Sequence, residues 1–123
     1  MRYYDELARY ERDGFDIIVD KTWEEIHVGD LFDDTQYDIA EICNQIDSGC
    51  LDWFMLRVRV LVDGLELGSH YLGGMLYEDA RECLTDGTAE DCITEAIKEA
   101  QSRVWPLMRR LQGINEDLEA TCG

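Results

Sequence analysis

The sequence has few of the residues that mark linkers, membrane spans or nucleic-acid-binding surfaces. It contains a single proline and no apolar run of about 18 residues, so we expect neither an interdomain linker nor a membrane-spanning helix. Lysine and arginine number 11 against 28 aspartates and glutamates, which gives a formal net charge of -17 over 123 residues. Anionic lipid, DNA and RNA repel a chain this negative, and direct binding to any of them is not expected.

The cysteines lack the pattern of a disulfide framework or a zinc site. Their number, five, is odd, and no two have the C-x-x-C spacing of close ligand pairs. The N-terminal stretch is polar and has no apolar segment typical of a secretory signal. We therefore expect reduced thiols, no metal or other cofactor, and a cytoplasmic location. The cysteines are Cys43, Cys50, Cys83, Cys92 and Cys122.

Motifs that carry catalytic chemistry are also missing. The sequence has no H-E-x-x-H, P-loop, G-x-G-x-x-G or G-x-S-x-G pattern, and its two histidines, His27 and His70, are far apart along the chain. Cysteine nucleophiles need an electropositive setting, which this chain does not offer. A glycosidase-type pair of carboxylates stays open, because pairs of acids occur throughout the sequence. A non-enzymatic protein is the prediction.

One calcium alternative follows from the spacing of carboxylates. An EF-hand loop that starts at Asp30 would place oxygen ligands at Asp34, Asp38 and Glu41. Its third position would be Phe32 and its sixth Thr35, where the sharp turn of the loop requires glycine. The pattern therefore disfavours calcium.

The apolar pattern predicts one domain of the α+β class with a small antiparallel sheet. Residues 51–62 alternate in polarity, Asp63-Gly64 has the composition of a two-residue hairpin turn, and residues 65–77 form the returning strand. Residues 15–20 are a further β-rich run. Amphipathic helices would cover this sheet.

Hairpin geometry then fixes the register. The turn sets Val62 opposite Leu65, and an unbroken ladder would set His70 opposite Arg57. Three glycines in the returning strand, Gly68, Gly73 and Gly74, indicate a bulge or a close backbone contact. The expected core face comprises Phe54, Leu56, Val58, Val60, Leu65, Leu67 and Tyr71. The other face comprises Trp53, Met55, Arg57, Arg59, Leu61, Glu66, His70 and Leu72. We expect the first or last helix to cover that second face, unless it is a partner or dimer interface.

Helical spacing predicts the remaining elements. Residues 2–12 form a first helix that ends at Gly14, and Thr22 with Glu25 has the spacing of a capping box for a brief helical turn. A second helix begins at Asp34 or Thr35 and reaches Asp47. A short helix covers 78–86, and a long one covers about 89–112, kinked or split by Pro106. The tail, residues 113–123, is acidic and frayed in this prediction.

The acidic residues are concentrated between Lys21 and Arg57. This stretch holds nine carboxylates and no lysine or arginine, yet it includes enough apolar residues to fold. On the predicted helices, two rows of acids point away from the apolar stripes. The steps along the axis are about 6 and 4.5 Å in the first row and about 6 Å in the second, comparable to the spacing of phosphates. The candidate partner-binding residues are Asp30, Asp33, Asp34, Asp38 and Glu41, followed by Asp91, Glu95 and Glu99.

In size, charge, absence of catalytic motifs and α+β pattern, the chain resembles small phage-encoded anti-defence proteins of the anti-CRISPR and anti-restriction type. The resemblance implies an acidic inhibitor, in some cases a nucleic-acid mimic, that binds the basic nucleic-acid-binding surface of a defence complex in the host cytoplasm. Three alternatives stay open. One is an acidic immunity protein or antitoxin against a basic toxin. A second is a homodimeric structural or regulatory protein that uses the Trp53 and Arg57 face of the sheet. The third is a metal-dependent enzyme.

Overall fold

A computed structural model describes the backbone of residues 2–122 and the side chains of residues 2–118. It shows an α+β fold, as predicted, in which a long C-terminal helix packs against a four-stranded antiparallel sheet. The strands lie in sequence order and are β1 (Asp5–Arg12), β2 (Phe15–Trp23), β3 (Asp52–Val62) and β4 (Leu65–Tyr77). The helices are α1 (Val28–Leu31), α2 (Ile39–Asp47) and α3 (Thr88–Cys122), and a 3-10 helix spans Ala80–Leu84.

Two Asp-Gly turns build the sheet. Asp63 and Gly64 have φ angles of 49° and 82°, and Asp13 and Gly14 have 53° and 83°. Positive φ at both central positions is the geometry of a type I′ turn, whose twist matches that of the flanking strands. The sequence therefore contains two hairpin turns with the same signature.

The predicted first helix is wrong. Residues 5–12 form β1, which pairs antiparallel with β2, and Gly14 is a turn residue and not a helix stop. The spacing of Leu7 and Ala8 fits a helix, but both side chains pack against the sheet core from an edge strand. The hairpin turn and the neighbouring β2 outweigh local helical periodicity, because strand pairing satisfies the backbone and buries one face.

The predicted register holds only near the β3–β4 turn. Val62 faces Leu65, as expected. Irregularities next to Gly68 and at Gly73 and Gly74 confirm the glycine prediction, and the first of them shifts the ladder by one residue. As a result Tyr71 faces Arg57, and the predicted pairing of His70 with Arg57 is wrong. A one-residue slip moves a side chain to the other face, which explains why Tyr71 is half-exposed and lies outside the core.

Gly68 also allows the long helix to approach the sheet. A Cβ atom at this position would lie 2.4 Å from the carbonyl oxygen of Ala96 and 2.8 Å from the backbone nitrogen of Ala100. Both alanines are fully buried. Small residues on both sides thus let the backbones of β4 and α3 come into direct contact.

The core lies between the sheet and the first half of α3. Four of the predicted core residues, all on β3, are fully buried and Leu67 is nearly so, whereas Leu65 is exposed. Apolar residues of β2 and of α3 complete the core. The buried residues of this cluster include Phe15, Ile17, Val19, Phe54, Leu56, Val58, Val60, Leu67, Met75, Cys83, Ile93, Ala96 and Ala100.

The long helix continues past both of its predicted limits. It is not split at Pro106, and it runs through Gly113 to Cys122, ten residues beyond the expected end at residue 112. Proline removes one hydrogen bond, to the carbonyl of Ser102, but that residue is exposed and water can satisfy its oxygen. The predicted tail is therefore helical as far as Cys122, while Gly123 and the thiol of Cys122 lie outside the described residues.

The second sheet face is covered by elements other than the predicted helices. The ring of Tyr4 lies 3.4 Å from the guanidinium of Arg57, and Thr22 donates a hydrogen bond to the carbonyl of Tyr3 at 2.7 Å. The extended residues 2–4 thus cross this face. Thr22 belongs to β2, so the capping box predicted there does not form.

No disulfide joins any two of the described cysteines. Cys83 and Cys92 are buried, Cys43 is half-buried and Cys50 is exposed. No helix in the described part of the chain is both long enough and apolar enough to cross a bilayer.

Candidate partner-binding surface

The acidic stretch forms a separate feature of the fold, which we call the acidic lobe (residues 24–50). It contains α1 and α2 and connects β2 to β3. Its main attachment is Trp53, whose indole N–H donates to the carbonyl of Ile26 at 2.9 Å and whose ring lies 5.8 Å from that of Phe32. Glu24 accepts a hydrogen bond from the backbone of Gly74 at 2.8 Å. The lobe is thus joined to one end of the sheet.

A histidine links the two helices of the lobe. Nδ1 of His27 accepts from the backbone N–H of Gly29 at 3.0 Å and caps α1. The neutral ring then carries its hydrogen on Nε2, which lies 3.7 Å from the sulfur of Cys43 in α2. Because that nitrogen donates to the thiol, His27 is not placed to accept the proton of Cys43. This contact connects the helices and does not form a nucleophile–base pair.

The first predicted row of acids is only partly correct. The second helix begins at Ile39 and not at Asp34 or Thr35, so Asp34 lies outside it. Asp38 is the N-cap, and its carboxylate accepts from the backbone N–H of Glu41 at 3.2 Å. Aspartate is a strong N-cap because it satisfies an orphan donor of the first turn. A single helical ladder of Asp34, Asp38 and Glu41 therefore does not exist.

The residues before α2 form turns. Asp33 accepts from the backbone N–H of Thr35 at 2.9 Å, and this bond holds the pKa of the Asp33 carboxyl below its ordinary value. The carbonyl of Asp33 also accepts from the backbone N–H groups of Gln36 and Tyr37. Asp33 and Asp38 thus stabilise the local backbone while both remain exposed.

All five predicted residues of the acidic lobe are exposed, and no described base lies within ion-pair distance of them. Among the described residues, no lysine or arginine forms an ion pair with any carboxylate between residues 30 and 47. These carboxylates are Asp30, Asp33, Asp34, Asp38, Glu41 and Asp47. Like charges at this density repel one another and leave a strongly negative surface.

The second predicted row, on α3, is largely neutralised. Glu95 pairs with Lys98 at 3.3 Å, and Glu99 pairs with Arg103 at 2.7 Å. Glu99 is half-buried and also accepts from the backbone N–H of Ser69 at 3.3 Å. Only Asp91 is exposed without a described base within 4.0 Å. The i,i+3 and i,i+4 spacings that stabilise a helix also remove its free charge.

The two rows do not form one surface. The lobe is attached through Trp53, whose position in β3 alternates with the buried Phe54. The long helix covers the face that carries Phe54. The two predicted groups of carboxylates therefore lie on separate elements, the lobe at one end of the sheet and α3 on the face that carries Phe54.

Apolar side chains are exposed within the acidic lobe, and the predicted site residues do not include them. Leu31 is 50% exposed, Ile26 49% and Tyr37 46%. The helix α2 is amphipathic but has no buried residue, and its stripe of Ile39, Ile42, Cys43 and Ile46 is only half-buried. The number of large apolar residues in so acidic a stretch was the sequence signal that could have identified these side chains. Helical periodicity alone assigns such side chains to the core, so they were not predicted as part of the site.

A cleft of about 770 Å³ lies between β1, the end of α2 and the 3-10 helix. Two of its charged groups, Lys21 and Asp52, are held in an ion pair.

No group of three or more potential metal ligands converges in the described part of the chain, and the carboxylates of the hypothetical calcium loop do not meet.

Comparison with known proteins finds no matching family model and no significant similarity to a curated protein or to a solved structure. Functional inference therefore depends on the residues of this chain and on the surface that they form.

Proposed function

We propose that this protein is a non-enzymatic cytoplasmic inhibitor whose acidic lobe binds the Lys/Arg-lined nucleic-acid-binding surface of a defence complex of the CRISPR or restriction type. The observation that carries the proposal is the set of carboxylates between residues 30 and 47, all of them exposed and none in an ion pair with a described base. When it is bound to that basic surface, the acidic lobe occupies the place of the phosphate backbone of the nucleic acid.

The charge balance of the whole chain supports this reading. Ion pairs between described side chains involve eight of the 11 bases but only seven of the 28 acids, since Arg57 and Arg59 share Asp20. Most bases are thus already neutralised within the protein. The remaining negative field attracts a basic groove over a Debye length of about 10 Å, which accelerates association and makes it salt-dependent.

Exposed apolar groups supply the specificity that charge lacks. Surface ion pairs contribute little net affinity, and the energy of most interfaces is concentrated in a few aromatic or aliphatic anchors. Leu31 and Tyr37 are 50% and 46% exposed within the acidic lobe and are the strongest candidates for such anchors. A partner would bury them and so stabilise a lobe that makes few contacts of its own.

The test reverses charges in the lobe without removing its caps. Asp30, Asp34 and Glu41 are replaced with lysine, while Asp33 and Asp38, which accept backbone hydrogen bonds, are retained. Displacement of labelled target DNA is measured by fluorescence anisotropy on a panel of purified CRISPR effector complexes and restriction enzymes. We expect the wild type to displace DNA from at least one of them, less effectively at high salt, and the variant to be weaker by about tenfold or more.

A matched control carries the same change in charge elsewhere. Glu11, Asp16 and Glu66 are exposed on the sheet, so Glu11→Lys, Asp16→Lys and Glu66→Lys should leave displacement largely intact. Equal potency of the lobe variant, or no displacement from any complex, contradicts the proposal. Inhibition of a basic toxin nuclease instead of a defence complex would favour the immunity-protein alternative.

A further inference from the structure

The second half of α3 carries an apolar seam that the domain leaves uncovered. Every described side chain from Met108 to Leu118 is exposed. Leu111, Ile114 and Leu118 are 54%, 57% and 59% exposed, and Trp105 is 64% exposed. Isolated amphipathic helices derive little stability from propensity alone and gain it from the packing of their apolar face.

The spacing of this seam is that of a coiled coil. Leu107, Leu111, Ile114 and Leu118 follow one another at intervals of four, three and four residues. A 3-4 repeat occupies the a and d positions of the heptad, which interdigitate with an equivalent seam of another helix. Leu107 packs partly against the core, and from there the seam continues for about three turns to Leu118.

The charges along this segment favour a second copy of the chain as the partner and an antiparallel direction of the two paired helices. The basic residues Arg109 and Arg110 precede the acidic Glu116 and Asp117 along the same segment. Antiparallel pairing of two copies sets each basic part beside the acidic part of the other helix, whereas parallel pairing sets like charges side by side. We propose that the distal half of α3 pairs antiparallel with that of a second copy of this chain.

The heptad register makes the pairing self-consistent. With the two-fold axis between residues 112 and 113, Leu111 packs against the partner's Ile114, and Leu107 against the partner's Leu118. The same register places Arg110 at a flanking position opposite the partner's Asp117, an ion pair that occurs twice by symmetry.

Two further features fit this arrangement. An apolar groove of about 530 Å³ adjoins the seam, lies between α3 and the strand ends, and includes the exposed Leu65. The second helix would enter this groove. Antiparallel pairing also attaches the two sheets at opposite ends of the helix pair, which keeps apart the sheets of two chains that each have a net charge of -17.

Sedimentation equilibrium on the full chain tests the proposal. Between about 1 and 100 μM, at a salt concentration that screens the net charge, we expect the wild type to associate into a species of twice its 14.2 kDa mass. The variant Leu111→Glu/Ile114→Glu should raise the dissociation constant at least 100-fold. Gln101→Glu/Gln112→Glu adds the same charge to α3 outside the seam and should change dissociation far less.

A charge swap tests the direction. Arg110→Asp alone and Asp117→Arg alone should each weaken dimerisation, and the double swap should restore it, because the pair is remade between subunits only in the antiparallel register. Helicity measured by circular dichroism confirms that each variant is folded. A monomeric wild type at 100 μM, a dimer that the Leu111/Ile114 variant leaves intact, or a double swap without rescue would overturn the proposal. None of these outcomes depends on the function proposed for the acidic lobe.

Discussion

Asp20 and Arg57 face each other across β2 and β3 and form a two-point ion pair on the sheet face opposite α3. The two hydrogen bonds are 2.8 and 2.6 Å long, and Asp20 is only 3% exposed. Tyr4 stacks on the guanidinium from the far side, and Arg59 lies 3.9 Å from the same carboxylate. These four side chains form a polar cluster on one face of the sheet, and the hydrophobic core lies on the opposite face.

Replacing Asp20 with alanine should destabilise the protein strongly. It leaves Arg57 and Arg59 partly buried without their carboxylate, and loss of one partner of a buried pair costs about 3–5 kcal/mol. Urea unfolding followed by circular dichroism measures the free energy of unfolding. The exposed pair of Glu6 and Arg9 provides the control, since Glu6→Ala should cost less than about 1 kcal/mol. Similar costs for the two variants would show that the buried cluster has no special role.

Gly68→Ala should loosen the packing of α3 on the sheet. The new methyl group would meet the backbone of α3 and not the end of a flexible side chain, so the helix must shift. Overpacking of this kind costs about 1–3 kcal/mol. The control is Gly113→Ala, within α3 itself, where a Cβ has open space. It should stabilise the protein by about 0.5–1 kcal/mol, because alanine favours the helix. Thermal unfolding distinguishes the two, and a destabilising Gly113→Ala would argue against the helix at this position.

Asp86 should contribute a pH-dependent share of stability. Tyr77 donates a hydrogen bond to its carboxylate at 2.5 Å, as does the backbone N–H of Thr88 at 2.9 Å, and these bonds lower the pKa of Asp86. A carboxyl whose pKa is lower in the folded state stabilises the protein above its unfolded pKa, and this contribution disappears as the pH falls through the folded value. The difference in unfolding free energy between wild type and Asp86→Asn should therefore be larger at pH 7 than near pH 3.

The control removes the hydrogen-bond donor instead of the carboxyl. In a Tyr77→Phe background, which lacks the phenol that donates to Asp86, the effect of Asp86→Asn should change less with pH. If the Asp86→Asn difference stays constant between the two pH values, the hydrogen bonds from Tyr77 and Thr88 do not favour the ionised carboxyl.

The described thiols should fall into two reactivity classes. Burial raises the pKa of Cys83 to about 11, and it raises the pKa of Cys92 as well. The thiolate is the reactive form, so both groups are protected by a low thiolate fraction as well as by inaccessibility. In a Cys122→Ser background, a disulfide reagent at pH 8 should label Cys50 and Cys43 readily and the other two only in urea. Rapid labelling of Cys83 in the native protein would contradict this packing.

Much of the sheet could be predicted from local signals. The alternation in β3, the Asp63-Gly64 turn and the β-rich start of β2 are sufficient to predict three strands, because each depends on backbone preferences within a few residues. The same turn signature at Asp13-Gly14 was available. It was outweighed by the helical spacing of Leu7 and Ala8, and β1 was consequently predicted as a helix.

The site was predicted less completely, since its residues acquire their roles from distant contacts. The exposure of the acids in the lobe follows from composition, but whether an acid is neutralised depends on neighbours, as Glu99 shows through its contacts with Arg103 and the backbone of Ser69. Likewise, the ends of α2 and α3 depend on which side chain provides a cap and on how far a helix tolerates proline and glycine.

The sequence by itself determined the excess of negative charge, the α+β class and the Asp63-Gly64 hairpin turn, because charge is a sum over residues and a turn is local. Only the tertiary structure decided which acids remain free, where the β4 bulge moves Tyr71, and that the seam of α3 beyond residue 107 lacks a cover. These properties depend on contacts between segments that are far apart in the sequence, and the free energy of this tertiary packing is distributed over many such contacts.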